Sequence, residues 1–586
     1  MKKYIKILFI AVSLPVLLLQ SCVEDKFSTE VTPQGIVGRS PAALEALANS
    51  AVAYMFKYGD LDEGGNSQTE FGYAAIQLQR EFLASDSSVP DIRRDHFHYW
   101  SGLENEIGAN HYQVNLTWRF YYTLIFQTNN IISAIGDPED ASKVIQEYYG
   151  MAKFFRALSY LDLARMYEYK RTGRASSDAE ADANNIWGLT VPIVDEFTDE
   201  AETRDNPREP FYVMYRFILT DLDQAEEYLA TFARQAKNKP NLSAVQALKA
   251  RFWLEMGTRF EKSSADLQTM LSHENDDEII YNKMGITTAR ECYELAASYA
   301  RKVINSGYRP VTREEWHNPI TGFNEASHPS WVFGIVISSP DNVYNTFRNW
   351  IGHISTEYQN GFCNDDRRAF RQIDARLWQS IPEADWRKYT WIDPNDEGKN
   401  PDRAKYSTIL TDEEWKLRTA YTGFKFRPKN GEKLEYKIAC QSDIPLIRVE
   451  EMYYIEAEAL ACSQGLAAGL TALKDFTNNH RYTDKSYNPT PTSVDDFIDN
   501  YLLVQKRIEL WLEGTTYFDK KRRDINVTRG YPGTSFTIPE QRYNSPAGYA
   551  PFWFHFYFPA AKEIDRNKTC IQNPSPSPSP EYLWTE

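Results

Sequence analysis

Apolar residues recur every three or four positions through several long stretches of the chain, and each such stretch predicts a helix with one buried face. In EYYGMAKFFRALSYLDLARMY (147–167) the face is Met151, Phe154, Phe155, Leu158 and Leu161. NLSAVQALKARFWLEMG (241–257) repeats it with Leu242, Val245, Leu248, Phe252 and Met256; Asn241 is the expected N-cap and Gly257 the expected stop. ECYELAASYARKVINSGY has the same form and ends at Gly307. EEMYYIEAEALACSQG carries Met452, Ile455 and Ala459 on one face and Tyr453, Ala457 and Leu460 on the next, so it should pack between two neighbours.

Several helices with small residues inside them suggest stacked helix pairs. Tyr160-x2-Leu163-Ala164-x2-Tyr167 fits the first-helix pattern of tetratricopeptide repeats, aromatic for aromatic and small for small. The other helices fit less well and no strict 34-residue period is visible, so an unrelated helical bundle competes on pattern alone. The expected fold is mainly α: a degenerate tetratricopeptide-like helix-pair scaffold with long inter-helix loops and a few short strands. Residues 60–115 and 312–400, rich in Gly, Pro, Asn and Asp, read as the long loops, and SWVFGIVISS (330–339) reads as a strand. The closing NPSPSPSPEYLWTE alternates Ser and Pro and predicts an extended, mobile tail.

The start of the chain has a different pattern. Lys2, Lys3 and Lys6 precede an apolar run, Ile7 to Leu19, broken only by Ser13 and Pro15. A membrane-spanning helix needs roughly 20 apolar residues, so this run is too short and reads as a secretory signal. It ends Leu19-Gln20-Ser21-Cys22, which resembles the lipobox of bacterial lipoproteins and makes Cys22 the expected lipidation site. Each buried methylene of an acyl chain contributes about 0.8 kcal/mol, so several chains anchor firmly. The expected organisation is a signal peptide (1–21), a lipidated tether (22–40), one helical domain (41–574) and a Ser/Pro-rich tail (575–586).

Composition narrows the function. Hydrophobic (42%) and charged (25%) content are ordinary, aromatic content is high at 14%, and the formal net charge of −16 argues against nucleic acid and against a basic lipid-binding patch. The remaining cysteines, 292, 363, 440, 462 and 570, are scattered and never spaced Cys-x-x-Cys, so they read mostly as isolated thiols, with one disulfide pair left open.

Five blocks then occur in order: WRFYYTLIFQTNNII, AKFFRALSYLDLARMY, IPLIRVEEMYYIEAEALACSQG, QKRIELWLEGTTYFDKKRRD and FYFPAAKEIDRNKTCIQNP. Together they resemble the SusD/RagB family of Bacteroidetes outer-membrane lipoproteins, and Cys22 agrees. The resemblance implies four tetratricopeptide-like helix pairs in one folded unit, a surface-exposed and lipid-anchored place on the outer membrane, an oligosaccharide or polysaccharide ligand, and a SusC-like TonB-dependent transporter over which the protein closes as a lid. It implies no enzyme and no cofactor. Glu24 and Asp25 resemble the family's surface-export signal. One departure is Thr515-Thr516 after Glu513-Gly514, where the family usually has an Arg two residues on, which puts a local salt bridge in doubt.

The residues support a binder rather than a catalyst. No Gly-x-Ser-x-Gly, phosphate-loop or His-Glu-x-x-His motif occurs. Glu450, Glu451, Glu456 and Glu458 crowd one helix, where a glycosidase needs two carboxylates facing across a cleft; they read as solvated or structurally paired. His96 and His98, with His111, lack a defined third metal ligand, and DPNDEG (393–398) has Ala404 where a calcium loop needs Glu, so no metal is expected. A pyranose offers apolar C–H faces to aromatic rings and hydroxyls to polar side chains. Two stretches combine these: Tyr99 and Trp100 with Arg94 and Asp95, and Tyr344, Asn345, Arg348 and Trp350. For each ring the competing reading is a place in the core. A protein-binding helical scaffold, a peptide binder and a lipid-anchored glycan-processing enzyme are the competing functions.

Overall fold

The structure, a computed structural model, describes residues 40–57, 68–91, 97, 100, 103, 107–363, 368–397 and 403–586. Cys22, Glu24 and Asp25, and of the first aromatic stretch Arg94, Asp95, His96, His98 and Tyr99, lie outside the described residues.

Long helices dominate, and each of the four periodic stretches forms one of them. α1 (Pro41–Tyr54) and α2 (Tyr73–Leu83) precede a ladder of seven: α3 (Tyr112–Ile135), α4 (Lys143–Tyr167), α5 (Phe211–Tyr228), α6 (Leu242–Lys262), α7 (Ala289–Ile304), α8 (Val449–Gln464) and α9 (Leu466–His480). Each member of the ladder packs on the next, and α1 lies against α3 and α4. The repeat-like positions Tyr160, Leu163, Ala164 and Tyr167 are all fully buried, which is what a helix held on several sides requires. The Asn241 side chain accepts from the Ala244 backbone N–H at 3.2 Å, the expected cap of α6. α6 does not stop at Gly257 as predicted. An added Cβ there would sit 2.8 Å from the Tyr293 ring, so the glycine allows α7 to approach α6 closely rather than ending the helix.

Residues 305–448 interrupt the ladder between α7 and α8. Their predicted strand forms as β2 (Trp331–Ile335), antiparallel to β4 (Ile444–Arg448), while β1 (Ser87–Ser88) pairs with β3 (Gln372–Ile373). After α9 come α10 (Leu503–Glu509) and α11 (Thr516–Arg523). No helix among the described residues is long and apolar enough to cross a membrane.

The excursion is tied to the ladder by buried charge. Arg387, Lys425, Arg448 and Arg481 meet Asp385, Glu450, Glu509 and Glu513 in one network. Glu509 alone receives Arg387 (2.9 Å), Arg448 (3.2 Å) and Arg481 (2.7 Å). Burial opposes its ionisation, but the three guanidinium groups hold its carboxyl well below the usual range. Glu513, whose local partner the Thr515-Thr516 departure put in doubt, pairs instead with Arg448 (2.9 Å) and Lys425 (2.5 Å). Thr516 itself bonds Asp86 (3.0 Å), which Arg507 also clamps.

Two expectations change. The stretch 60–115 is not all loop, because α2 lies within it with every residue buried. Its Arg80 pairs with Asp162 at 3.0 Å, and Glu81 accepts from the Gly514 backbone N–H at 2.7 Å. The tail is extended as predicted but strapped down rather than mobile. Arg174 donates to the Ser577 carbonyl (2.9 Å), Asn544 N–H donates to the Tyr582 carbonyl (2.9 Å), and Trp584 N–H donates to the Arg542 carbonyl (3.0 Å).

Two outcomes follow. Removing Glu509 by Glu509→Ala leaves three buried arginines short of a partner and should cost about 3–5 kcal/mol in urea unfolding at pH 7; a loss under 1 kcal/mol would show the network to be dispensable. Glu81 gives a pH signature: burial, aided by Asp86, pushes its carboxyl up to about 8. A group raised in the folded state gives stability that is complete below its unfolded value, about 4.3, and is lost as pH rises toward the folded one, at up to about 1.4 kcal/mol per pH unit. Glu81→Gln keeps the acceptor for Gly514 and should flatten the decline in stability between pH 5 and 8; parallel curves for variant and wild type would reject the buried proton.

Candidate functional site

The second aromatic stretch is built from local capping. Asn345 Oδ1 accepts from the backbone N–H groups of Phe347 and Arg348, both at 2.8 Å, closing a turn. Asn349 caps the short helix Trp350–Ile354, accepting from Gly352 N–H at 2.7 Å, and its amide donates to the Asn345 carbonyl at 2.6 Å. The turn presents Tyr344 outward, 49% exposed, with the Arg348 guanidinium 5.2 Å from its ring centroid. An aromatic ring braced by a cation at the surface is a platform for a sugar face.

Of the candidate rings, the two tryptophans take the competing place in the core. Trp350 is 2% exposed and packs edge-on to Phe426 at 5.3 Å. Trp100 is 1% exposed and lies 5.7 Å from Phe556. Neither offers a ring face to solvent in this structure. Their polar neighbours misled: Asn345 and Asn349 hold backbone rather than face outward. The structure thus keeps Tyr344, Asn345 and Arg348 on one surface turn and commits the Trp350 indole to the core.

The crowded carboxylates of α8 are paired, not solvated. Glu450 meets Arg448 (3.0 Å), Glu451 meets Arg251 (2.6 Å), Glu456 meets Arg301, and Glu458 meets Arg522 (2.5 Å). Each is held by an arginine, Glu450 by the adjacent Arg448 and the other three by residues far along the chain, so none is left facing a second carboxylate across an open cleft. Asp393 caps the 3₁₀ turn Pro394–Asp396, consistent with a turn. Among the described residues no group of three metal-ligating side chains occurs, and Cys292, Cys363, Cys440, Cys462 and Cys570 are free thiols.

A second concave region was not anticipated. A cleft of about 770 Å³ opens beside the C-terminal end of α4, the first turn of α5, the last turns of α6 and the face of α11. Trp187, Tyr212 and Tyr549 stand in its walls and Tyr215 and Glu255 deeper within it. Trp187 is covered on one side by Arg171 (4.5 Å to the ring centroid), and Tyr212 stacks on His273 at 4.0 Å. The segments YKRTG (169–173) and IWG (186–188), an aromatic beside basic or glycine residues outside any helix, were the available signal.

Comparison with known proteins places the chain. A family model described as "Starch-binding associating with outer membrane" matches residues 61–254, and one described as "SusD family" matches residues 326–575. No curated protein matches it. Among solved structures, a SusD-like carbohydrate binding protein from Bacteroides vulgatus superposes with a TM-score of 0.64 at 19% identity, covering 91% of this chain and 97% of that one. A SusD superfamily protein from Bacteroides thetaiotaomicron gives 0.60 at 18% identity, covering 92% and 100%. A putative sugar binding protein from Bacteroides vulgatus gives 0.60 at 19% identity, covering 91% and 98%. With two family models spanning most of its length and the same fold in these structures, the chain belongs to the SusD/RagB family.

Proposed function

We propose that this protein is a cell-surface, glycan-binding lipoprotein that captures oligosaccharide and delivers it to a SusC-like TonB-dependent transporter, acting as its lid. The observation that carries the reading is the match of residues 61–254 to a family described as starch-binding and outer-membrane-associated, with residues 326–575 matching the SusD family. The surface supports it. Tyr344 and Arg348 project from a turn whose backbone is fixed by Asn345 and Asn349, so a ligand meets a ring that needs little further ordering. Tyr99, Arg94 and Asp95 belong to the same proposal from the sequence, and Trp100 and Trp350 enter it as core residues rather than as stacking rings. Lipidation at Cys22 provides the tether, and the arginine-paired carboxylates of α8 suit a protein that binds without cleaving.

Calorimetric titration with a panel of plant, host and microbial oligosaccharides tests the reading, with peptides as the alternative cargo. Tyr344→Ala should weaken binding of the preferred sugar several-fold to tenfold, as loss of stacking worth on the order of 1 kcal/mol implies, with the melting temperature unchanged. Trp350→Ala should instead cost about 3–5 kcal/mol of stability. Binding of peptides but of no sugar in the panel would overturn the glycan reading.

The anchor and partner are tested in membranes. Cys22→Ala should release the protein from the membrane fraction, and gentle detergent extraction of the wild type should bring down a TonB-dependent barrel. Full retention of the variant, or repeated recovery of the wild type alone, would count against the respective part.

A further inference from the structure

The cleft beside α4, α5, α6 and α11 is separate from the Tyr344 turn and shares no lining residue with it. We propose that it is a second oligosaccharide site, selective for a neutral sugar chain. The proposal rests on the reading that the protein binds glycans and adds a second place where it does so.

Its volume, about 770 Å³, lies within the range of about 300–1,000 Å³ typical of small-molecule sites. The walls offer aromatic surface already fixed from behind. Arg171 covers one side of Trp187, whose indole N–H is held by Asp182 at 2.8 Å, and His273 covers one face of Tyr212. Tyr549, 40% exposed, packs on Gly173; that residue has φ +69°, and an added Cβ would fall 2.7 Å from the tyrosine ring. Held rings lose little entropy when a ligand stacks on them.

Most of the charges at the cleft already have partners; of the others, Glu255 is taken up below, and Lys521 is buried, donates to the Met166 carbonyl at 3.0 Å and is pushed by burial well below its ordinary value, toward the neutral amine. Lys170 and Lys262 share Asp524 at 2.5 and 3.2 Å, Arg259 is held by Glu168 (2.7 Å) and Asp266 (2.7 Å), and Arg171 lies 3.5 Å from Asp182. An anionic ligand would have to break these pairs to be neutralised. A neutral sugar need not, because its hydroxyls both donate and accept alongside paired ions.

Two polar groups lining the cleft have no protein partner among the described residues. Among the described residues nothing hydrogen-bonds or ion-pairs with the Glu255 carboxylate, and none donates to or accepts from the Tyr215 hydroxyl. Burial pushes the Glu255 carboxyl up from its ordinary value. Glu255 is half-buried at the open cleft, so its carboxylate is solvated in the free protein, and a sugar hydroxyl donating to it would take the place of water.

The test uses the full-length protein and four neutral hexasaccharides (α-glucan, β-glucan, mannan and xylan), with a uronate hexasaccharide as the charged arm. Calorimetry of the wild type should show two sites for the preferred neutral sugar. Tyr344→Ala should weaken one and leave the other. Trp187→Ala and Tyr549→Ala, both at partly exposed rings, should weaken the second at least fivefold, and Glu255→Gln several-fold, with melting temperatures kept. If these three variants give wild-type isotherms while Tyr344→Ala removes all binding, the cleft is not a site and the glycan function stands. Preference for the uronate at the cleft overturns the neutral class. Failure of every sugar to bind the wild type overturns the function and the cleft proposal with it.

Discussion

Four buried cations and four buried carboxylates at the junction of β4, α8, α9 and α10 fix how the long excursion sits on the helix ladder. Arg387 and Lys425 come from the excursion, Arg448 from the end of β4, Arg481 from the end of α9, and Glu509 and Glu513 from around the end of α10. Such a network is weak evidence for net stability, because desolvating each ion offsets most of the Coulombic gain. Its effect is on register. Any sliding of the excursion would leave at least one ion buried without a partner, which costs far more than an apolar mismatch. The matched numbers of the two signs make the native docking the arrangement in which every member is satisfied.

The same logic recurs across the molecule. Arg80 of α2 reaches Asp162 of α4; Arg156 of α4 reaches Asp221 of α5 at 2.7 Å; Arg251 of α6 reaches Glu451 of α8; Arg522 of α11 reaches Glu458 of α8. Apolar packing makes the ladder cohere, and these pairs say which surfaces meet. The surface turns can therefore carry exposed rings, since the scaffold beneath them does not depend on burying those rings. Tyr344 stands on a turn closed by two asparagines, while Trp350, one turn of chain away, is committed to the core beneath.

This division explains what the sequence made legible. The ladder could be read because its helices are long and amphipathic, and because caps such as Asn241 act through local bonds. α2 could not. Gln77, Gln79, Arg80 and Glu81 make it look polar, yet all are buried, satisfied in part by Asp162, Thr117 and Gly514 from far along the chain. Gly257 looked like a stop because its actual reason, the Tyr293 ring of the next helix, is a tertiary contact. The tail looked mobile because a Ser/Pro repeat forms no regular structure of its own, and the anchor, Arg174, lies in a different part of the chain.

The candidate site was legible only in part for a related reason. Polar residues flanking an aromatic suggest the rim of a sugar site, but Asn345 and Asn349 have a nearer use in the backbone, and short polar side chains choose the local partner when one is within reach. Long side chains do not have that option. Arg348 reaches out over Tyr344, and Arg171 reaches over Trp187, in each case leaving a ring held on one side beside solvent or an open cleft. Arg171 and Trp187 lie far apart in the chain, so this bracing is a tertiary contact that the sequence does not mark. Exposure then separates the candidates: Tyr344 and Trp187 keep a ring at the surface or at the cleft, whereas the core has taken Trp100 and Trp350.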